Sequence, residues 1–245
     1  MRRYQGFRAS LPLLALVAAS LLGTACVGIG VGVKGSGKIV DEEVQVDSFD
    51  RIDIGSAFKV QVSLGERDAL TLHVDDNIRD RIEYGVSGGT LRLRLKPRSP
   101  VRDATLRADV FVRRLREVRA SGASNVQIDS ELTGDAVAVG LSGASEVSGR
   151  ANVGALRAEL SGASKMRFAG KASGLTVQAS GASGLDLGEL EAERLDVQLS
   201  GASKATVSVT GTISADLSGA SSLRYKGSPR FERQQTSGSS SIERL

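Results

Sequence analysis

The amino-acid sequence predicts an all-β solenoid, and three observations carry that prediction. The phrase Ser-Gly-Ala-Ser recurs six times, starting at Ser121, Ser142, Ser161, Ser180, Ser200 and Ser218, with a degenerate Ser-Gly-Ser-Ser at Ser237. The successive spacings of 21, 19, 19, 20, 18 and 19 residues approach a fixed period, the mark of one unit stacked on its own copies in coils of about 19–20 residues. Between phrases the apolar residues alternate with period two, and no segment keeps a 3.6-residue period for ten residues, which disfavours a helical repeat. Aromatic residues are only 4% of the chain and tryptophan is absent, as suits a narrow interior filled by Leu, Val, Ala and Ser.

The first segment, residues 1–25, reads as a signal peptide. Arg2, Arg3 and Arg8 form a basic region, and the apolar run Leu11 to Leu22 is too short to span a bilayer comfortably. It ends in Leu22-Gly23-Thr24-Ala25-Cys26, which resembles the lipobox of bacterial lipoproteins and implies lipidation of Cys26, the single cysteine. Gly23 stands where the lipobox usually has an aliphatic residue, and cleavage after Ala25 by the small-x-small rule is the alternative. Val27, in place of an aspartate after the cysteine, resembles lipoproteins sorted to the outer membrane. The expectation is an exported lipoprotein of the cell envelope, facing the periplasm or the cell surface.

Residues 26–38, rich in glycine, read as a tether. Residues 39–115 read as an N-terminal β region of short strands punctuated by Gly55, Gly65, Gly85 and Gly88-Gly89, with Asp76 or Asn77 capping a single helical turn. Within it, Ile52-Asp53-Ile54-Gly55-Ser56-Ala57-Phe58-Lys59-Val60 has the shape of a cryptic repeat. The region is therefore either a set of divergent coils or a cap over the open end of the stack. Residues 116–236 are the repeats proper, and residues 237–245 read as a C-terminal cap or tail.

Inside each repeat, the residues five, three and one before the phrase are apolar, as in Leu156, Ala158 and Leu160, and alternation resumes after it, as in Met166 and Phe168. Each repeat thus offers two short strands with one apolar face. Parity carried through the phrase turns its second serine inward, giving a structural ladder of Ser124, Ser145, Ser164, Ser183, Ser203 and Ser221 with hydroxyls satisfied by each other or by nearby backbone. A sharp Gly-Ala corner would instead leave that serine at the surface. The next residue, Asn125, Glu146, Lys165 or Lys204, should face outward and is the candidate contact residue.

The exported N-terminus, the Gly-Ser-Ala-Phe-Lys-Val strand opening, Asp75-Asp76-Asn77, the Gly-Gly-Thr-Leu-Arg-Leu strand and the serial phrase together resemble the bacterial "putative auto-transporter adhesin, head GIN domain" family over roughly residues 48 to 230. The resemblance implies a right-handed parallel β-helix-like fold at the cell envelope. It supplies no catalytic residues.

The chemistry of the chain points away from catalysis. His73, the single histidine, alternates with Leu72 and Val74 on the outer face of a strand, and no Gly-x-Ser-x-Gly elbow occurs. Ser164 with Lys165, or Ser203 with Lys204, cannot form a dyad, because adjacent strand residues face opposite ways. One histidine and one cysteine make a zinc site improbable. Calcium at Asp75, Asp76, Asn77 and Asp80 lacks the usual glycine spacing, and no cofactor is implied. The acidic run Asp186, Glu189, Glu191, Glu193 and Asp196 reads as solvated, although a polysaccharide-active enzyme would need close carboxylates of this kind. The stripe Arg92, Arg94, Lys96 and Arg98 reads as the wet face of a strand. Of the formal charge of +4, three positive charges leave with the signal, so nothing argues for a nucleic-acid partner. The expectation is a membrane-anchored, non-enzymatic β-solenoid that binds an envelope protein or glycan. The alternative is a self-assembling structural or spacer protein of the periplasm that forms homo-oligomers.

Overall fold

The computed structural model describes residues 32–245. Its N-terminal part runs through β1 (Val33–Lys34), β2 (Ile39–Val44), β3 (Arg51–Ile54), β4 (Lys59–Leu64), β5 (Ala69–Asp75), a 3-10 turn at Arg79–Arg81, β6 (Ile82–Ser87), β7 (Thr90–Leu95), β8 (Val101–Arg102), β9 (Leu106–Val112) and β10 (Glu117–Ala120). The repeats follow as β11 (Asn125–Leu141), β12 (Glu146–Leu160), β13 (Lys165–Ala179), β14 (Gly184–Leu199), β15 (Lys204–Leu217), β16 (Ser222–Lys226), β17 (Arg230–Thr236) and β18 (Ser241–Arg244). All pairings between successive coils from β10 onward are parallel, so the described residues form the β-solenoid that the sequence predicts.

Each coil differs from expectation in one respect. Where the sequence suggests two short strands per repeat, β11 to β15 are single bent strands of 14 to 17 residues. The second bend stays hydrogen-bonded to its neighbours through register shifts, as between Gln127 and Glu131 or Leu187 and Glu191, so it breaks no ladder. All fifteen apolar residues at the three positions before the phrases from Ser142 to Ser218 are buried, and they join the residues after the phrase in one core running from Phe49 to Leu223.

The phrase itself is a turn whose four residues each have a separate job. The first residue's N–H continues the ladder, as Ser161 donates to the Leu141 carbonyl at 2.9 Å. The glycine adopts a positive φ, +74° at Gly162, and its carbonyl accepts from the alanine N–H of the next coil, Ala182, at 2.7 Å. The second serine is buried in all six full copies, with exposures of 0–1%. Its hydroxyl donates to the carbonyl of the first serine in its own phrase, as Ser164 does to Ser161 at 2.7 Å. That carbonyl has no partner in the neighbouring coil, so the hydroxyl supplies the bond the stack leaves out. The two sequence alternatives therefore combine: the phrase is a sharp corner and its second serine faces inward, bonded to backbone. Ser203 is the exception, since its buried hydroxyl has no partner among the described residues. Ser164→Ala is accordingly expected to cost about 1–2 kcal/mol, whereas Ser203→Ala should be close to neutral. Paired denaturant titrations check this, and equal losses at both positions would contradict it.

The N-terminal region is both of the things the sequence left open. β3 and β4 form a true coil around Gly55-Ser56-Ala57-Phe58, which stacks under the first phrase: Ser121 N–H donates to the Ile54 carbonyl and Asn125 N–H to the Phe58 carbonyl, each at 2.9 Å. Phe58 lacks the hydroxyl that closes the other turns, and here Ser56 and Ala57 both take positive φ instead. The chain then leaves this coil, and residues 65–116 build a cap on its far side. There β9 lies parallel to β4, β5 antiparallel to β9, and β2 antiparallel to β5, while β7 lies parallel to β3 and β6 antiparallel to β7. Only at β10 does the chain return to the opposite side of the β3–β4 coil and begin the regular stack.

Three boundary expectations change. Residues 33–38 of the expected tether are folded onto the cap: β1 pairs with β8, and the buried Asp75 carboxylate accepts from the N–H groups of Gly37 and Thr105, each at 2.6 Å. Asp76 and Asn77 do not cap the 3-10 turn but hold the same loop, Asp76 accepting from the Ser36 hydroxyl and Asn77 from the Ser36 N–H. Residues 237–245, expected as a cap or tail, form the terminal coil, because the seventh phrase stacks on Gly219 and β18 pairs with β16. The expected signal peptide and Cys26 lie outside the described residues.

Candidate binding groove

The residue two before each phrase faces outward, because the inward positions on either side of it are apolar. Strand pairing sets these outward residues in exact file: Asp53, Arg119, Gly140, Glu159, Gln178, Gln198 and Asp216 are register partners from coil to coil. Beside them run the first serines of the phrases, Ser121 through Ser218. The two rows border a groove of about 720 Å³. Seven strands at the usual spacing of roughly 4.8 Å make it ~29 Å long from Asp53 to Asp216. Gly140, with no side chain, opens the row between Arg119 and Glu159.

The charges along this row are largely neutralised within the face. Asp53 meets Arg92 at 3.6 Å, Arg119 meets Glu117 at 2.6 Å and Glu159 meets Arg157 at 2.7 Å. Gln178, Gln198 and Asp216 have no side-chain partner among the described residues, and no aromatic side chain lines the groove. The signal for this row is present in the sequence, since the position two before the phrase is polar or glycine in every copy.

The candidate contact residues from the sequence lie on the other side of the phrase, and the structure brings them into one row as well. Asn125, Glu146, Lys165, Gly184, Lys204 and Ser222 are register partners, and the row continues into the cap through Lys59, Arg107, His73 and Asp41. Lys165 and Lys204 are exposed while Asn125 and Glu146 are half-buried. Its charged members Glu146, Lys165 and Lys204 make no ion pair among the described residues, whereas in the adjoining row Arg167 meets Asp186 at 3.1 Å and Arg224 meets Glu243 at 4.0 Å. A cleft of about 530 Å³ lies at the cap end of this face, around Asp41, Lys59, Gln61 and His73.

His73 in that cleft bridges three strands. Its Nδ1 lies 2.7 Å from Asp41 on β2 and its Nε2 3.1 Å from Asp109 on β9. The hydrogen bond to Asp41 raises its pKa above the ordinary value near 6.5, outweighing the burial that lowers it, and Asp109 adds to the rise. A neutral ring has one N–H and cannot serve both carboxylates. The raised folded pKa means that this bridge contributes stability fully below the unfolded value near 6.5 and loses it as pH rises through the folded value. As His73 is the sole histidine, its ring proton signals report the titration directly. The expected NMR result is a midpoint above 6.5 that drops in Asp41→Asn; a midpoint unaffected by that change would contradict the bridge.

The other sequence candidates are accounted for locally. Among the described residues no cluster of three or more potential metal ligands occurs, and Asp186, Glu189, Glu191, Glu193 and Asp196 are all exposed. In the basic stripe, Arg92 meets Asp53, Arg94 meets Glu83 at 3.1 Å and Lys96 donates to the Asp80 carbonyl at 2.7 Å. Ser164 is buried while Lys165 is exposed, as their opposite facing requires. Among the described residues no helix is long and apolar enough to cross a membrane.

Comparison with solved structures finds the same coil stack elsewhere. A putative adhesin from Bacteroides fragilis superposes with a TM-score of 0.82 at 22% identity, covering 87% of this chain and 100% of its own. A putative lipid binding protein from Parabacteroides distasonis gives 0.72 at 17% identity, covering 87% and 99%. A putative adhesin from Parabacteroides merdae gives 0.67 at 19% identity, again covering 87% and 99%. At these identities the likeness speaks to the fold alone. No curated protein matches the sequence significantly. The family profile reaches further, matching residues 48–229, from the start of the β3–β4 coil through the sixth full phrase, and by that match the chain belongs to the family of the "putative auto-transporter adhesin, head GIN domain".

Proposed function

We propose that the protein is a membrane-anchored, non-enzymatic binding module of the bacterial cell envelope, held by a lipid on Cys26 and presenting the groove beside the phrase serines to an extended ligand. The observation that carries this reading is the groove itself, a file of in-register polar side chains crossing seven strands on a backbone already fully paired. A rigid sheet with adjustable outward residues positions contacts well and assembles no catalytic set. The groove contains no histidine, and the one histidine is engaged in the other cleft. Membership of an adhesin-like family supports an exported or cell-surface setting. The outer-membrane position and the lipid rest on the sequence around Cys26.

Two measurements test this reading. Cells fed a labelled fatty acid should label the wild-type chain and not Cys26→Ser, with the label co-fractionating with outer membrane. The purified full-length chain in detergent should bind envelope fractions saturably, and Gly140→Arg, which fills the open place in the groove, should abolish that binding. Binding unaffected by Gly140→Arg sinks the groove reading.

One feature favours the structural alternative. β17 and β18 pair on one side only, Phe231 and Ile242 are half-buried there, and Leu245 is 56% exposed. End-to-end pairing of two copies would cover this edge. Sedimentation across a concentration series decides: self-association lost in Ile242→Lys, with no envelope binding, would replace the proposal by that alternative.

A further inference from the structure

We infer that the groove ligand is an uncharged, hydroxyl-rich linear glycan lying along the solenoid axis; this inference rests on the binding reading above and names its ligand class. Three properties of the groove lead there, each by excluding another chemistry.

Charge excludes a polyanion or polycation. The cation of the row, Arg119, is held by Glu117, and the carboxylates of Asp53 and Glu159 are held by Arg92 and Arg157. What is left free to bond a ligand is the amides of Gln178 and Gln198, the carboxylate of Asp216 and the serine hydroxyls. The hydroxyls of Ser121, Ser161 and Ser200 reach backbone carbonyls of the preceding coil only at 3.4–3.5 Å, a loose contact that a ligand can replace.

Apolar character excludes a peptide. A docked peptide takes either a free sheet edge or pockets for aromatic and aliphatic anchors. The strands under the groove are paired on both sides, and no aromatic side chain lines it. Amides, hydroxyls and a carboxylate in file instead form the donor and acceptor set that sugar hydroxyls match, each of which both gives and takes a hydrogen bond.

Repetition selects a polymer. The row repeats at the inter-strand spacing of roughly 4.8 Å, close to the rise of an extended pyranose chain, so successive sugars can each lie over one coil. Without an aromatic platform each sugar is held weakly, and affinity accumulates with length; a chain spanning the whole groove binds where a disaccharide does not.

The test uses the full-length chain in detergent against neutral β-linked hexasaccharides of glucose and N-acetylglucosamine, the matching disaccharides, and oligogalacturonate of the same length. In parallel, binding to envelope fractions is measured with and without excess neutral hexasaccharide as competitor. The expected result is saturable binding of a neutral hexasaccharide and none of the disaccharide, at least tenfold weaker in Gln178→Ala/Gln198→Ala and unchanged in Lys165→Glu/Lys204→Glu on the other side of the phrase, with the hexasaccharide displacing the envelope ligand. Envelope binding without binding of any neutral hexasaccharide, or preference for oligogalacturonate, overturns the glycan assignment while leaving the binding module standing. Absence of binding to both envelope fractions and glycans overturns both.

Discussion

Gly162→Ala is expected to cost about 4 kcal/mol, near the top of the range for single substitutions, and to lower the melting temperature by roughly 8–16 °C for a chain of this size. Two penalties add at this position. An L side chain in the left-handed region costs about 1–2 kcal/mol, and Gly162 has φ +74°. In addition, a Cβ there would lie 2.5 Å from the Gly143 carbonyl oxygen and 3.1 Å from its nitrogen, both backbone atoms of the coil beneath. Those atoms cannot retreat, because the Gly143 carbonyl itself accepts from Ala163 N–H at 2.7 Å. The control lies three residues past the next phrase glycine. Gly184 has an ordinary φ and its nearest neighbour to a Cβ is Lys165 Cγ at 4.0 Å, so Gly184→Ala should be neutral or stabilising by about 0.5–1 kcal/mol. Thermal unfolding of the two variants side by side checks the argument. A similar loss in both would show that the stack responds to glycine content and not to the stacked turn.

Phe168→Ala should destabilise by about 3–5 kcal/mol, the cost of removing a buried aromatic ring that leaves a cavity. Phe168 is 1% exposed, and its register partner in the preceding coil is Gly149. A Cβ on Gly149 would stand 3.4 Å from the ring, so the missing side chain in one coil makes the room that the large one in the next occupies. The coils cannot close over the void, since their separation is fixed by the hydrogen-bond ladder between β12 and β13. The same complementarity predicts coupling. Gly149→Ala alone would press its methyl to 3.1 Å from Ile128 Cβ and cost stability, yet combined with Phe168→Leu it should cost less than the sum of the two. Strict additivity in a double-mutant cycle would show that the two positions do not share one packed site.

The sequence alone determined the coil. The period of the Ser-Gly-Ala-Ser phrase, the apolar residues before and after it, and the outward facing of Lys165 and Lys204 follow from parity, because a strand allows only two directions for a side chain. The cryptic turn at Gly55-Ser56-Ala57-Phe58 was legible for the same reason. Parity also held the groove row, since Arg119, Gly140, Glu159, Gln178, Gln198 and Asp216 sit at one fixed offset, although its meaning depended on seeing those residues in file beside the phrase serines.

Tertiary structure decided what local pattern cannot encode, namely which strand lies beside which. That the β3–β4 coil stacks directly under β10 and β11, with residues 65–116 set aside as a cap beyond it, is a choice of partner among strands that all show the same alternation. Likewise His73 looks like any outward strand residue until β2 and β9 place Asp41 and Asp109 on its two nitrogens. The physical reason is common to both. A strand's own sequence fixes the faces of its side chains, while the backbone groups that join it to a neighbour are chemically identical along the chain, so the neighbour is selected only when the whole core packs.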